Sequence, residues 1–274
     1  MMKNFLFGLF AVLSLTLSAQ KSLVFKNELQ PNRTYKTMMV TLNKMVLDMG
    51  ALGQGEGPMT MDQDMRIGLT MKTGANQGAN GFPLTMTYDS LAIKMSMNGS
   101  DMPIPPDDTL SKMKIVGLYK EGNFDLDEAK SENVTPDMKE SLGKTMKEVY
   151  DKVKFPTSPL GVGDSFENSY PMDLPVPGGQ PMTMNVKNNF KLIDLNGSIG
   201  TFEVIQDLDF SGRNEGFDMV ASGKGKGIMK FDAALKTVLS YKVELPMEMT
   251  MTMDGGTSMT MKMDSNTTVT QSVE

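Results

Sequence analysis

Apolar and polar residues alternate strictly along much of the chain. Between Pro58 and Lys72 the odd positions are apolar except Gln63, whereas the even positions are mostly Thr, Asp, Arg and Lys. Because successive side chains of a β-strand point to opposite faces, this alternation predicts strands with one buried face. The other apolar series are Phe82, Leu84, Met86, Tyr88; Leu91, Ile93, Met95, Met97; Met182, Met184, Val186, Phe190, Leu192; Phe202, Val204, Leu208, Phe210; Leu239, Tyr241, Val243, Leu245, Met247, Met249, Met251, Met253; and Met259, Met261, Met263.

Turn residues separate these series. Asn98-Gly99, Gly178-Gly179, Asn196-Gly197 and Asp254-Gly255-Gly256 favour tight connections, and tight connections join antiparallel strands. We therefore predict a mainly β protein, with a large curved antiparallel sheet or half-barrel of about ten strands.

One segment has a helical rather than an alternating pattern. Thr135 is a suitable N-cap, and Pro136 suits the first helical position. Met138, Leu142 and Met146 then recur at a spacing of four, which places them on one face of a helix. The sequence predicts one helix over about 135–153, lying against the sheet.

The first twenty residues are typical of a secretory signal peptide. Lys3 precedes an apolar run from Phe5 to Leu17, and Ser18-Ala19-Gln20 offers small residues for cleavage near Ala19-Gln20. We expect residues 1–20 to be removed and 21–274 to form a single β-rich domain. The protein is then exported to the periplasm, the outer-membrane surface or the medium. No other run has the length of a transmembrane segment, so we predict none.

Two parts of the chain resemble each other. Leu29 to Tyr35 matches Leu160 to Phe166 in its leucine, turn, hydroxyl and aromatic positions, and Pro58-Met-Thr-Met61 recurs as Pro181-Met-Thr-Met184. These matches predict an internal duplication, with pseudo-repeats over about 22–125 and 155–272 and the helix between them.

Composition excludes several kinds of chemistry. The chain has no His, Cys or Trp, so it has no Ser-His-Asp triad, no thiol nucleophile and no His/Cys metal site. The formal net charge of −6, without a basic patch, argues against a nucleic-acid partner. We predict that the protein is not an enzyme and has no cofactor.

Methionine is the most unusual component, at 29 residues. The Met-x-Met pairs fill inward positions of predicted strands, where Met serves as packing, as a deformable surface for an apolar small molecule or lipid, or as soft ligands for Cu(I). Two thioethers on one strand lie about 6.5–7 Å apart, so a shared ion needs a partner strand or a bend. The predicted ligand-lining residues are Met59, Met61, Met65, Met182, Met184, Met247, Met249, Met251, Met259 and Met261.

Other motifs are weaker. The acidic pairs Asp62/Asp64 and Asp207/Asp209 are expected on the solvent face of strands, where alternate residues point together. The glycines of 223–227 indicate a strand bend or bulge rather than a phosphate loop. Asp89-Ser90-Leu91 and Asp108-Thr109-Leu110 resemble O-glycosylation sites of exported Bacteroidota proteins, at Ser90 and Thr109.

Taken together, the Met-rich strands, the segment GVGDSF at 161–166 and the segment GKGKGIMKFDAALKTVLSYKVELP at 223–246 resemble a family of exported Bacteroidota proteins, a domain of unknown function. The architecture is similar to the half-barrels of LolA-like lipoprotein carriers. This resemblance implies a helix packed against an apolar sheet face.

The leading functional hypothesis is an exported, non-enzymatic envelope protein that binds a lipid-like or apolar ligand on a Met-lined sheet face. Three alternatives remain open at this point. One is a structural or assembly protein that acts through protein contacts, with partners unknown, and another is a Met-rich Cu(I)-binding protein. The third is a hydrolase that uses two carboxylates distant in sequence.

Overall fold

The structure, a computed structural model, describes residues 22–49, 57–103, 113–127, 130–133, 153–174, 182–214 and 217–274. The predicted signal peptide, 1–20, lies outside the described residues. The predicted helix, 135–153, also lies outside them except for Val153, which has no regular secondary structure.

Long antiparallel strands dominate the described residues. They are β1 Ser22–Leu23, β2 Thr34–Asp48, β3 Met59–Thr73, β4 Phe82–Met97, β5 Ser100–Met102, β6 Lys114–Lys120, β7 Asn123–Leu126, β8 Leu160–Gly161, β9 Ser165–Leu174, β10 Met182–Asn196, β11 Ile199–Asn214, β12 Phe217–Asp232, β13 Thr237–Met253 and β14 Ser258–Val273. A short 3-10 turn spans Gly78–Asn80, between β3 and β4.

Twelve of the strands form one sheet. Its order is β7-β6-β4-β3-β2-β14-β13-β12-β11-β10-β9, with β5 paired to β4, while β1 and β8 form a separate pair. All described pairings are antiparallel, which confirms the predicted mainly β fold and large antiparallel sheet, with twelve strands rather than about ten. Within the described residues β7 and β9 pair on one side only, so the sheet is open.

Two long strands, β2 and β12, were not predicted from alternation in the sequence. On β2, Met38, Leu42 and Val46 point to the solvent side, and Asn43 takes an inward position, so the apolar residues do not keep one phase. On β12 the inward positions include Gly223, Gly225 and Gly227, which have no side chain and therefore interrupt the apolar series in the sequence. Apolar alternation identifies a strand only when its inward residues have apolar side chains.

β-Bulges change the phase of two strands. Gly68 pairs with Ser90 and Leu69 with Tyr88, so Asp89 is an extra residue, and the change of phase between Tyr88 and Leu91 in the sequence is confirmed. On β13, Phe231 pairs with Val238 and Lys230 with Ser240, so Leu239 is the extra residue. The inward assignment of Leu239 was wrong, because Val238 occupies the position against the core.

One end of the inner face is a closed hydrophobic core. The first cluster contains Tyr35, Leu84 and Ile115 of the strands β2, β4 and β6, together with Leu29 from the segment before β2. The second cluster contains Phe190, Phe202 and Phe231 of β10–β12, together with Phe25 from the same segment. The N-terminal segment 24–33 crosses this end of the sheet, because its Phe25 enters the second cluster and its Leu29 the first.

The sheet is curved toward this inner face. Tyr170 on β9 and Tyr241 on β13 interact electrostatically although three strands separate them. In a flat sheet such residues lie at least about 19 Å apart, because four strand spacings of about 4.8 Å separate β9 from β13. The glycines of β12 allow this curvature, because Met247 and Leu245 of β13 fill the space of the absent side chains at Gly223 and Gly225. Pairing of β12 shows no register shift there, so the bulge alternative for 223–227 was wrong.

The two matched segments have similar local structure. Leu29 and Leu160 are both buried, Asn32 and Gly163 both have positive φ, and a long strand begins two residues later in each case. These features support the duplication, which stays a prediction.

Candidate functional site

Methionines from neighbouring strands line up across the inner face, at the end of the sheet opposite the closed core. We call three sets of register partners the methionine rows. The first row is Met97, Met61, Met45, Met263 and Met247; the second is Met59, Leu47, Met261 and Met249; and the third is Met259, Met251 and Met219.

Most side chains of the methionine rows are only half-buried. Met45, Met61, Met263 and Met249 keep part of their surface exposed, in contrast to Met229 of the closed core, which has 0% exposure. Met45, Met61 and Met263 therefore present apolar, polarizable surface that is accessible from solvent. At the β12–β13 end of the rows, Met219 is buried in a third hydrophobic cluster, and Met247, Met249 and Met251 pack against that cluster.

The predicted ligand-lining residues divide into three groups. Seven belong to the methionine rows: Met59, Met61, Met247, Met249, Met251, Met259 and Met261. Met184 lies on the same face but is buried beside Met219 and Phe210, and Met65 lies away from the rows, between Thr41 and Ile93 of neighbouring strands. Met182 belongs to β10, and its side chain lies outside the description. Met45, Met97 and Met263, which complete the first row, were not among the predicted ligand-lining residues, because alternation along one strand says nothing about cross-strand partners.

A band of polar side chains separates the methionine rows from the closed core. Asn43 Nδ2 donates a hydrogen bond of 2.8 Å to Gln63 Oε1, and Ser265 is the other cross-strand partner of Asn43. On the other half of the sheet, Asn188 is 4% exposed and lies opposite Gln206. The one break in the apolar series of β3, Gln63, was the sequence signal for this band.

Two acceptors in the polar band are unused. Asn43 Oδ1 and Asn188 Oδ1 are buried and accept no hydrogen bond from the described residues. An unpaired buried acceptor costs about 1–3 kcal/mol. Asn43, which lies beside the rows, can therefore accept a hydrogen bond from a hydroxyl, amide or ammonium group placed between the rows and the closed core.

Two tyrosines border the same face. Burial raises the pKa of the Tyr241 hydroxyl far above its usual value, and the neighbouring Tyr170 raises it further. Burial also raises the pKa of Tyr88 on β4. Both hydroxyls therefore stay neutral at physiological pH.

Charged side chains lie on the outer face. Asp64 accepts two hydrogen bonds of 3.0 Å from Arg66, and Lys224 lies 3.4 Å from Asp207. The predicted solvent-facing placement of the acidic pairs therefore holds for Asp64 and Asp207. Ser90 is exposed on this face, and its predicted glycosylation stays a prediction; Thr109 lies outside the described residues.

Three clefts lie away from the methionine rows. One of about 420 Å³ lies on the outer face of β10–β12, one of about 380 Å³ lies beside Met38 and Gly68, and one of about 490 Å³ lies at the β6–β7 hairpin. None of the three is lined by a methionine of the rows.

Within the described part of the chain, no group of three or more His, Cys, Asp and Glu side chains is arranged to hold a metal ion. The described helical residues also include no stretch with the length and hydropathy needed to cross a membrane.

Comparisons with known proteins give little more. No family model matches the chain, and no curated protein matches its sequence. Among solved structures, the chain is similar to a structure that describes lipid–protein interactions in lipovitellin, with a TM-score of 0.47 and 9% sequence identity. The match covers 90% of this chain but only 26% of the lipovitellin chain. A similarity at this level does not decide a ligand.

Proposed function

We propose that the protein is an exported, non-enzymatic protein that binds an apolar or lipid-like ligand on the methionine rows. One observation carries this proposal: the inner face of a curved sheet presents rows of half-buried thioether side chains, while the opposite end of that face is closed by buried clusters. Unbranched methionine side chains adapt to apolar ligands of different shapes, as at other adaptable binding surfaces.

The polar band narrows the class of ligand. Its unused acceptors, Asn43 Oδ1 and Asn188 Oδ1, need a hydrogen-bond donor. An amphiphile places a donor group at the band and its apolar part along the methionine rows. A neutral or cationic head group fits better than an anionic one, since an anionic group has no donor for these oxygens and would repel them.

Native mass spectrometry of the delipidated protein with a panel of envelope lipids tests this proposal. In the variants Met247→Gln and Met261→Gln, an amide replaces each thioether at similar size, and we expect lipid binding to fall. Met38→Gln is the matched control, because Met38 lies on the outer face and is 43% exposed.

Two results would count against the proposal. One is the absence of any bound lipid in the wild-type protein under all conditions. The other is an equal loss of binding in the Met38→Gln control. Either result would favour a structural or assembly protein that acts through protein contacts.

A further inference from the structure

We propose that Met45, Met61 and Met263 form a thioether site for a soft monovalent cation, Cu(I) or its redox-inert analogue Ag(I). This proposal is independent of lipid binding, because it requires the sulfur atoms and not merely an apolar surface. No residue outside the first methionine row is needed as a ligand.

The register of three adjacent strands brings these side chains together. Met263 on β14 is the direct partner of Met45 on β2, and Met45 is the direct partner of Met61 on β3. Partners on adjacent strands are about 4.8 Å apart, whereas two methionines of one Met-x-Met pair are about 6.5–7 Å apart. The partner strand that a shared ion requires is therefore present on both sides of Met45.

The neighbours of the three methionines on the inner face are uncharged. Towards the sheet end they border Met59, Leu47 and Met261, and on the other side they border the amides of Gln63 and Asn43. The charged residues of the same strands, such as Lys44, Asp62 and Lys262, occupy the alternate positions and therefore point to the opposite face. Neutral, soft ligands select Cu(I) over hard divalent ions.

Core packing alone does not require this set of residues. Closer to the closed core, the same three strands present Val269, Met39 and Ile67 at one level of the inner face, so β-branched residues are accepted there. In the first methionine row, by contrast, every one of five neighbouring strands supplies methionine. The three proposed ligands are also half-buried, so an ion can reach them without unfolding of the sheet.

The test is a metal titration of the purified protein with Ag(I) alone, and with Cu(I) under reducing conditions in competition with a chromophoric Cu(I) chelator. The triple variant Met45→Leu/Met61→Leu/Met263→Leu nearly conserves side-chain volume but removes all three thioethers. We expect it to lose Cu(I) affinity by more than about tenfold, because a methyl group cannot replace a sulfur ligand.

The matched control is Met38→Leu/Met71→Leu/Met229→Leu. It removes three thioethers from the same sheet, one on the outer face and two in the closed core, and it should bind Cu(I) as the wild type does. A wild-type protein that binds neither ion would overturn the proposal, as would a row variant that keeps wild-type affinity.

A second measurement avoids substitutions altogether. With methyl-labelled methionine, Ag(I) should shift the NMR signals of the Met45, Met61 and Met263 methyl groups and leave that of Met229 unchanged. Shifts spread over all methionines would contradict a defined site. Lipid binding is measured separately on the wild-type protein by native mass spectrometry, so failure of the metal proposal and failure of the lipid proposal give different results.

Discussion

At the scale of single residues, methionine has two different roles in this protein. Met229 is fully buried among the aromatic residues of the closed core, where its volume fills space between Phe202 and Tyr241. Met249 is the inward neighbour of Ala221 and Met261 and remains half-buried. The same side chain is therefore enclosed by the core in one place and partly accessible to solvent in the other.

This difference predicts different costs of truncation. Met229→Ala should lower the free energy of unfolding by about 2–5 kcal/mol, because it leaves a cavity in a close-packed core. Met249→Ala should cost less than about 2 kcal/mol, because its side chain is partly solvated already. Chemical denaturation of both variants measures the difference. Equal costs would show that Met249 also belongs to a dry core.

Glycine at position 227 makes the close approach of two strands possible. A Cβ atom there would overlap the carbonyl oxygen of Lys242 on β13. Gly227→Ala should therefore destabilise the protein by about 1–3 kcal/mol, the usual range for overpacking. Gly57→Ala is the control, because no atom lies within 4 Å of the added carbon. Thermal unfolding of the two variants makes the comparison, and equal melting temperatures would be inconsistent with this contact.

At the scale of elements, bulges keep the apolar residues of a strand facing inward. On β4 the extra residue Asp89 lies between Tyr88 and Ser90, and its Oδ2 accepts a hydrogen bond of 2.6 Å from Thr70. Tyr88 and Leu91 are three residues apart, whereas residues on one face of a regular strand are an even number apart. The bulge at Asp89 allows both side chains to lie on the inner face.

Deletion variants test this account of β4. Removal of Asp89 restores regular alternation and should cost only about 1 kcal/mol. Removal of Ala92 instead moves Ile93 to the outer face and Lys94 to the inner one, so the fold should be lost. Circular dichroism and thermal unfolding distinguish the two variants. Unfolding of the Asp89 deletion would mean that the bulge itself is required.

The sequence predicts elements whose signal is local. The β4 phase change and the Asn98-Gly99, Asn196-Gly197 and Asp254-Gly255 turns were all visible, because each depends on neighbouring residues. The bulge at Leu239 was not visible, since Val238 and Leu239 are both apolar and only the partner strand decides which faces inward. The methionine rows depend on the register of strands distant in sequence, so single Met-x-Met pairs were visible but not the rows.

At the scale of the whole molecule, the two halves share one sheet and one N-terminal segment that packs against both. The sheet continues from the first half to the second through the pairing of β2 with β14. The N-terminal segment packs against both core clusters, through Phe25 in one and Leu29 in the other. We therefore predict that the halves unfold together, as expected of a single domain.

Phe25→Ala tests this cooperation. Phe25 packs against Phe202 and Phe155 at ring distances of 5.1 and 5.4 Å, so its truncation should cost about 3–5 kcal/mol. Hydrogen exchange should then become faster in β3 as well as in β11, although Phe25 contacts only the second cluster. Val24→Ala is the control, since Val24 is 54% exposed. Faster exchange confined to β11 would show that the halves unfold separately.

The same β2–β14 junction has a consequence for folding kinetics. Thr37 and Gln271, which meet across it, are separated by 234 residues, and such non-local pairing is slow to form. Until β14 arrives, the long strand β2 has an unpaired edge, and unpaired edges are templates for aggregation. We therefore predict that a chaperone that binds extended β-strands raises the yield of folded protein during refolding.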